Sequence, residues 1–136
     1  QPLQRNPKED IIVMGDFNDE PGNRSVKEGL RSSFDARKVR ENGKQLLFNC
    51  WSGSEKKGSY WFRNNWQKID QIMLSAGMFE PEGLAYPSNG FRCFSFFRML
   101  DPSDGKPWPT YEKGRYVGGY SDHLPLLLKT VVRKRK

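Results

Sequence analysis

Residues 1–10 are polar and contain Pro2 and Pro7, which reads as a linker. It leads into Ile11-Ile12-Val13-Met14, an unbroken apolar run rich in β-branched residues, and such a run predicts a strand covered on both faces. Gly15-Asp16-Phe17-Asn18-Asp19 then supplies turn formers that place polar side chains at the strand's carboxyl end. Beyond Pro21-Gly22, Asn23 is positioned to cap a short helix with Val26 and Leu30 four apart on one face, although Gly29 weakens it. From 41 to 58 the pairs Asn42-Gly43, Ser52-Gly53 and Lys57-Gly58 predict an exposed loop, with Leu46-Leu47-Phe48 as an apolar patch at the rim of the core.

The segment Lys68 to Ser75 predicts a second strand. Alternation puts Asp70, Ile72 and Leu74 on one face and Ile69, Gln71 and Met73 on the other. A carboxylate among aliphatics is costly unless something pairs with it or water reaches it, so Asp70 demands a partner. Residues 83–100 are aromatic and irregular, and 101–119 are dense in Pro and Gly, which fits a long loop on the side of an active site. Leu124 to Val132 predicts the last strand, followed by the basic tail Arg133-Lys134-Arg135-Lys136. There is no internal repeat and no low-complexity tract.

The length of 136 residues fits a single domain, and 35% hydrophobic with 13% aromatic content supports a modest core rather than disorder. The net charge of +7 favours phosphate-rich partners at long range, although part of it sits in the solvated tail. Cys50 and Cys93 lack CxxC spacing and a neighbouring His, which argues against a zinc site or a disulfide framework and for two ordinary thiols. No window approaches the roughly 20 apolar residues of a membrane span, and no secretory leader is present. The chain opens with Gln1 rather than Met, so an upstream segment carrying any cellular address is expected, and location is not legible.

The only histidine, His123, lies in Ser121-Asp122-His123-Leu124-Pro125, at the approach to an apolar strand where polar groups meet solvent. A lone His is usually structural; the adjoining Asp122, the small Ser121 and the preceding Gly118-Gly119 raise its interest. Consecutive strand residues point to opposite faces, so Asp122 and His123 serve one site only if the backbone there turns. Asp16 has the chemistry to take a proton from water, and Asn18 to donate its amide to an oxyanion without adding charge. Taken alone, Asp and Asn after a strand are as readily explained as turn formers.

Together, Gly15-Asp16-Phe17-Asn18, then a tryptophan ahead of Ile69-Asp70-Gln71, then Ser121-Asp122-His123-Leu124-Pro125 resemble, in order and spacing, the second half of the endonuclease/exonuclease/phosphatase superfamily. The resemblance runs from about Ile11 to Leu128, and the stretch from Asp104 to His123 is most similar to uncharacterised bacterial members. It implies an α/β fold, namely half of a four-layer α/β/β/α sandwich, with a mixed, mostly antiparallel sheet, short helices and long loops. Residues 1–136 would then form the C-terminal half of one such domain. It also implies hydrolysis of phosphoesters by water attack on phosphorus. Asp16 corresponds to the carboxylate that orients or deprotonates the water, and that also stands at the metal. Asn18 corresponds to the neighbour contacting phosphate, Asp70 to the acid holding the histidine, His123 to the histidine on the scissile phosphate, and Asp122 to a residue beside the metal. Magnesium is the expected cation because hard oxygen ligands suit it, and manganese is a substitute.

The resemblance further implies that the principal metal-binding glutamate lies in the other, N-terminal half. The chain alone is therefore expected to be inactive, and to expose an apolar face that invites self-association. The competing expectation is a nonenzymatic nucleic-acid-binding module built on Trp61-Phe62-Arg63-Asn64-Asn65-Trp66 with Lys68, its rings stacking bases and its cations tracking phosphates. The two readings separate on whether Asp16, Asn18, Asp70, Asp122 and His123 converge. Whether the substrate is DNA, RNA, a lipid head group, a sugar phosphate or a nucleotide is not written in the motifs.

Overall fold

The computed structural model describes residues 5–134. Its centre is a four-stranded sheet in the order β1, β6, β3, β2. These strands are β1 (Ile12–Asp16), β2 (Ser32–Ser33), β3 (Leu47–Asn49) and β6 (Asp70–Leu74). β6 runs antiparallel to both β1 and β3, while β2 and β3 are parallel. The remaining strands form two-stranded pairs: β4 (Tyr60–Phe62) with β5 (Asn65–Gln67), β7 (Gly83–Ala85) with β12 (Val131–Arg133), β8 (Phe91–Cys93) with β11 (Leu126–Leu128), and β9 (Tyr111–Glu112) with β10 (Arg115–Tyr116). The expected α/β class, with a mixed and mostly antiparallel sheet, short helices and long loops, is what the chain adopts.

The faces of β6 divide as its alternation predicts. Ile72 and Leu74 enter one cluster with Val39, Phe48, Cys50 and Met78, and Met73 enters another with Val26 and Leu47. The helix α1 (Ala36–Glu41) covers the first cluster through Val39. It starts where the Asp35 side chain accepts hydrogen bonds from the Arg37 and Lys38 amides, which satisfies two otherwise orphaned donors. Those bonds, with the Lys38 amide first, hold the Asp35 carboxyl below its ordinary range. The second cluster is covered by the helical turn Ser25–Gly29, where Val26 is fully buried and Leu30 packs beside it. This turn is wide, closing with Leu30 N–H on the Ser25 carbonyl, and it is led by Arg24 rather than capped by Asn23, whose amide instead donates to Asp19.

Three expectations fail for identifiable reasons. The run Ile11 to Met14 is not covered on both faces: β1 is the sheet's edge, and Met14 is 60% exposed while its cross-strand partner Ile72 is 1% exposed. The β8/β11 pair that packs over Ile72 and Leu74 does not extend across β1. Leu47 and Phe48 are core rather than rim, because β3 is an interior strand with both faces buried. The predicted strand from Leu124 to Val132 is two strands, broken at Lys129 and Thr130, where the Lys129 N–H donates to the Gly90 carbonyl and the chain changes partner from β8 to β7.

Cys50 and Cys93 are free and buried, as two ordinary thiols. No helix among the described residues is long and apolar enough to cross a membrane. The first four residues of the expected linker and the last two of the basic tail lie outside the described residues.

Candidate active site

Asp16 and Asp70 are cross-strand neighbours at the end of the β1/β6 pairing, so their side chains leave the sheet on the same face. Gly15, at φ 154°, and Asn18, at φ 51°, release the chain from β1 into a turn around Asp16. The turn is closed by the Asn18 N–H donating to Asp16 Oδ1 at 2.9 Å. It is anchored from below by Gln71, whose amide donates to the Asp19 and Lys68 carbonyls. Asp19 in turn accepts from Ser25 and Asn23, and these bonds hold its carboxyl below the ordinary range. The polar residues of the loop thus fix where Asp16 stands.

His123 reaches the same place from the far end of the chain. Its Nδ1 lies 2.9 Å from Asp70 Oδ2, which supplies the partner that a half-buried carboxylate beside Ile72 requires. With the Nδ1 proton held by Asp70, Nε2 is the ring's available nitrogen. Two residues that sequence patterning does not single out complete the arrangement. Ser59, fully buried, donates its hydroxyl to the same Asp70 Oδ2. Tyr60 stacks on the imidazole, with ring centroids 4.4 Å apart and planes at 25°. Their backbone also holds the histidine loop, since the Leu124 N–H donates to the Ser59 carbonyl and Tyr60 forms a bridge with His123. The only hint in the sequence is that Ser59-Tyr60 directly follows Gly58, where a Cβ would collide with the Gln67 backbone.

Among the described residues, ligand atoms of Asp16, Asp70 and His123 lie within 4.8 Å of one another. They open on a trough of about 410 Å3, lined also by Met14, Ile72 and Leu126. Asn18 and Asp122 are not part of this lining. Asn18 is the exposed turn residue just beyond Asp16, and its side-chain amide has no partner among the described residues. Asp122 leaves the irregular backbone before β11 in another direction and lines a separate cleft with Tyr60 and Trp61. Of the five residues singled out from the sequence, three converge, one adjoins them and one faces elsewhere.

The hairpin β4/β5, candidate for nucleic-acid stacking, spends most of its aromatic surface internally. Trp61 and Trp66 pack edge to face at 5.5 Å, and the Lys68 ammonium lies 5.2 Å from the Trp51 ring centroid. Phe62, Arg63, Asn64 and Asn65, around the Arg63-Asn64 turn, are exposed, and Phe62 is the one aromatic among them.

The electrostatics of the trough constrain its chemistry. No Lys or Arg lines it, so a phosphate approaching Asp16 and Asp70 meets two carboxylates unless a cation intervenes. The donor set fits a hard divalent cation. Asp16 commits Oδ1 to the Asn18 amide and Asp70 commits Oδ2 to His123 and Ser59, which leaves one carboxylate oxygen of each free for a metal. Two oxygens do not fill an octahedral sphere; water, phosphate or further protein oxygens must supply the rest.

No curated protein and no solved structure matches the chain. The model of the Endonuclease/Exonuclease/phosphatase family matches residues 1–133, nearly its whole length. The convergence of an acid, an Asp-His pair and a cation-demanding trough is thus accompanied by a family match, and the chain belongs to the endonuclease/exonuclease/phosphatase family.

Proposed function

We propose that the complete protein is a magnesium-dependent phosphoester hydrolase in which Asp16, Asp70 and His123 carry the chemistry, and that manganese substitutes for magnesium. The single observation behind this reading is the gathering of those three side chains within 4.8 Å at the ends of β1, β6 and the loop before β11. A bound divalent cation supplies neutralisation of the phosphoryl oxygens. Asp16 orients a water and takes its proton as the water oxygen bonds to phosphorus. Asp70 fixes the ring, and His123 in its imidazolium form, with Nδ1–H on Asp70, donates from Nε2–H to a phosphoryl oxygen as the bond to the leaving oxygen breaks, the leaving oxygen taking a proton from water. Asn18 reaches the same phosphate with its unpaired amide once substrate is bound.

The chain alone supplies too few oxygens for the cation and leaves Met14 at 60% and Ile12 at 37% exposure beside the trough. We take the remaining ligands and the cover for this face from an upstream half of the same domain; without it, residues 1–136 turn over negligibly and tend to self-associate.

The deciding experiment assays the complete protein against phosphodiesters and phosphomonoesters with and without magnesium. Asp16→Asn lowers turnover by at least about a hundredfold with the fold intact. Equal turnover in that variant removes Asp16 from the reaction, and robust magnesium-dependent hydrolysis by pure 1–136 overturns the two-half reading.

A further inference from the structure

The loop after β8 carries Phe94-Ser95-Phe96-Phe97-Arg98-Met99, in which the helical turn Phe97–Met99 buries none of its residues. Phe97 is 77% exposed, and Phe96 beside it is exposed as well. Tyr120, 61% exposed, brings a third ring from the chain ahead of His123, its centroid 6.3 Å from that of Phe96. The loop is not loose. The Phe94 N–H donates to the Pro125 carbonyl and the Trp108 N–H to the Met99 carbonyl, so it is pinned at both ends while its rings face solvent. Met99 and Ser121 line the trough, which puts the patch at its rim.

The charged groups in contact with this loop are cationic. Arg98 places its guanidinium 5.5 Å from the Phe97 centroid, and the Lys56 ammonium donates to the Ser95 hydroxyl at 3.4 Å. Arg92 is exposed opposite the exposed Leu127 in the β8/β11 ladder. None of the three cations forms a salt bridge among the described residues, Glu55 beside Lys56 in the chain included, and residues 83–100 contain no Asp or Glu. The trough differs: its wall of Met14, Ile72 and Leu126 is aliphatic and holds no Lys or Arg, a surface suited to another protein sheet. Aromatic rings flanked by Lys and Arg suit a lipid–water boundary instead, the rings settling at head-group depth while the cations meet anionic head groups. The contacts of these rings with one another and with Arg98 do not compete, because insertion uses exposed apolar area and not a free π face. The net charge of +7 draws the protein toward such a surface.

We propose that the patch formed by Phe96, Phe97 and Tyr120 docks the protein on the surface of an anionic lipid bilayer, as a peripheral contact that spans nothing. The docking is separate from the reaction and from the choice of phosphoester. It requires neither metal nor turnover.

The test mixes the complete protein with vesicles of equal parts phosphatidylcholine and phosphatidylserine, with a chelator present to stop turnover, and measures the bound fraction by sedimentation. The protein binds these vesicles, and binds vesicles of phosphatidylcholine alone at least about tenfold more weakly. Phe97→Ala lowers binding about tenfold and Arg98→Gln about fivefold, with unchanged near-ultraviolet circular dichroism because both side chains are exposed. Phe34→Ala removes an exposed ring just beyond β2, at the opposite edge of the sheet from β1, and leaves binding as it was. Absence of binding to the mixed vesicles, the result when an upstream half or another protein covers the rings, overturns the proposal. So does undiminished binding by Phe97→Ala, or dissociation of a lipid-free dimer by that substitution, which assigns the patch to a second copy. Such a failure leaves the hydrolase reading standing, because that reading is decided by magnesium-dependent turnover and its loss in Asp16→Asn.

Discussion

Asp16 and Asp70 stand directly opposite one another across the last pair of the β1/β6 ladder, with carboxylates on one face of the sheet. Like charges in that arrangement repel, and His123 and Ser59 offset them through Asp70 while the Asn18 N–H does so through Asp16. A cation between the free oxygens removes the repulsion and binds the folded chain alone, so magnesium or manganese should raise the thermal midpoint in a concentration-dependent way. Asp16→Asn should abolish that rise while making the metal-free chain equal to or slightly more stable than the parent, by about 0.3 kcal/mol after solvent screening. A cation-dependent rise of the same size in the variant would show that the metal binds somewhere else.

Ser59 is buried and spends its hydroxyl on Asp70. Ser59→Ala leaves Asp70 with His123 as its remaining side-chain partner, and the lost hydrogen bond to an ionised group should cost about 1–2 kcal/mol in urea unfolding. Because Ser59 also bonds the Leu124 amide through its backbone, which the substitution spares, the histidine loop should stay in place. An unchanged unfolding midpoint would mean that the Ser59 hydroxyl contributes nothing to holding Asp70.

How much of this was legible before the fold is known depends on the range of the interactions. The β6 faces follow from local alternation, and the need of Asp70 for a partner follows from its place among aliphatics; both are properties of a five-residue strand. Asp16, Asp70 and His123 are legible as site residues only when the family resemblance is added to those local signals. β3 is not legible because three residues between Asn42-Gly43 and Ser52-Gly53 carry no periodicity, so turn formers outweigh a short apolar run whose burial comes from neighbouring strands. β1 departs from its pattern for the opposite reason. An unbroken apolar run implies two covered faces, but the cover over one of them stops at β6. Ser59, Tyr60 and the divergence of Asp122 from His123 are beyond the reach of local patterning, since the long-range pairings of His123 with Asp70 and with Tyr60, and of Leu124 with Ser59, decide them.

The loop that delivers His123 is stitched to the segment before the β9/β10 hairpin. Gly119 N–H donates to the Pro109 carbonyl, Ser121 N–H to the Trp108 carbonyl, and the Thr110 hydroxyl to the Tyr120 carbonyl. A Cβ at Gly119 would run into the Trp108 carbonyl, a backbone atom that cannot swing aside. Gly119→Ala should therefore cost about 1–3 kcal/mol and alter the near-ultraviolet circular dichroism of the tryptophans. Gly22, around which nothing lies within 4 Å, is the control, and its Ala variant should be near neutral. Equal stability of the two variants would show that the close approach of these loops does not hold in solution.

The buried thiols make a prediction about alkaline pH. Burial pushes Cys50 up to about 12 from the ordinary thiol value of 9.0, and Cys93 up to about 11, where Lys56 partly opposes the rise. In the unfolded chain both ionise near their ordinary value, so above that value the unfolded state carries fewer protons than the folded one. Stability is then fully present below pH 9.0 and is lost as pH rises toward 11 and 12. Tyr86 adds to the loss, its hydroxyl pushed by burial to about 12 from 10.0, which leaves pH 9 to 10 as the window belonging to the thiols. The double variant Cys50→Ala, Cys93→Ala should be less stable at pH 7, because cavities replace two packed sulfurs, yet lose less stability between pH 9 and 10. Urea midpoints across that interval decide the matter: parallel slopes in parent and variant would mean that neither thiol is shielded as its burial implies.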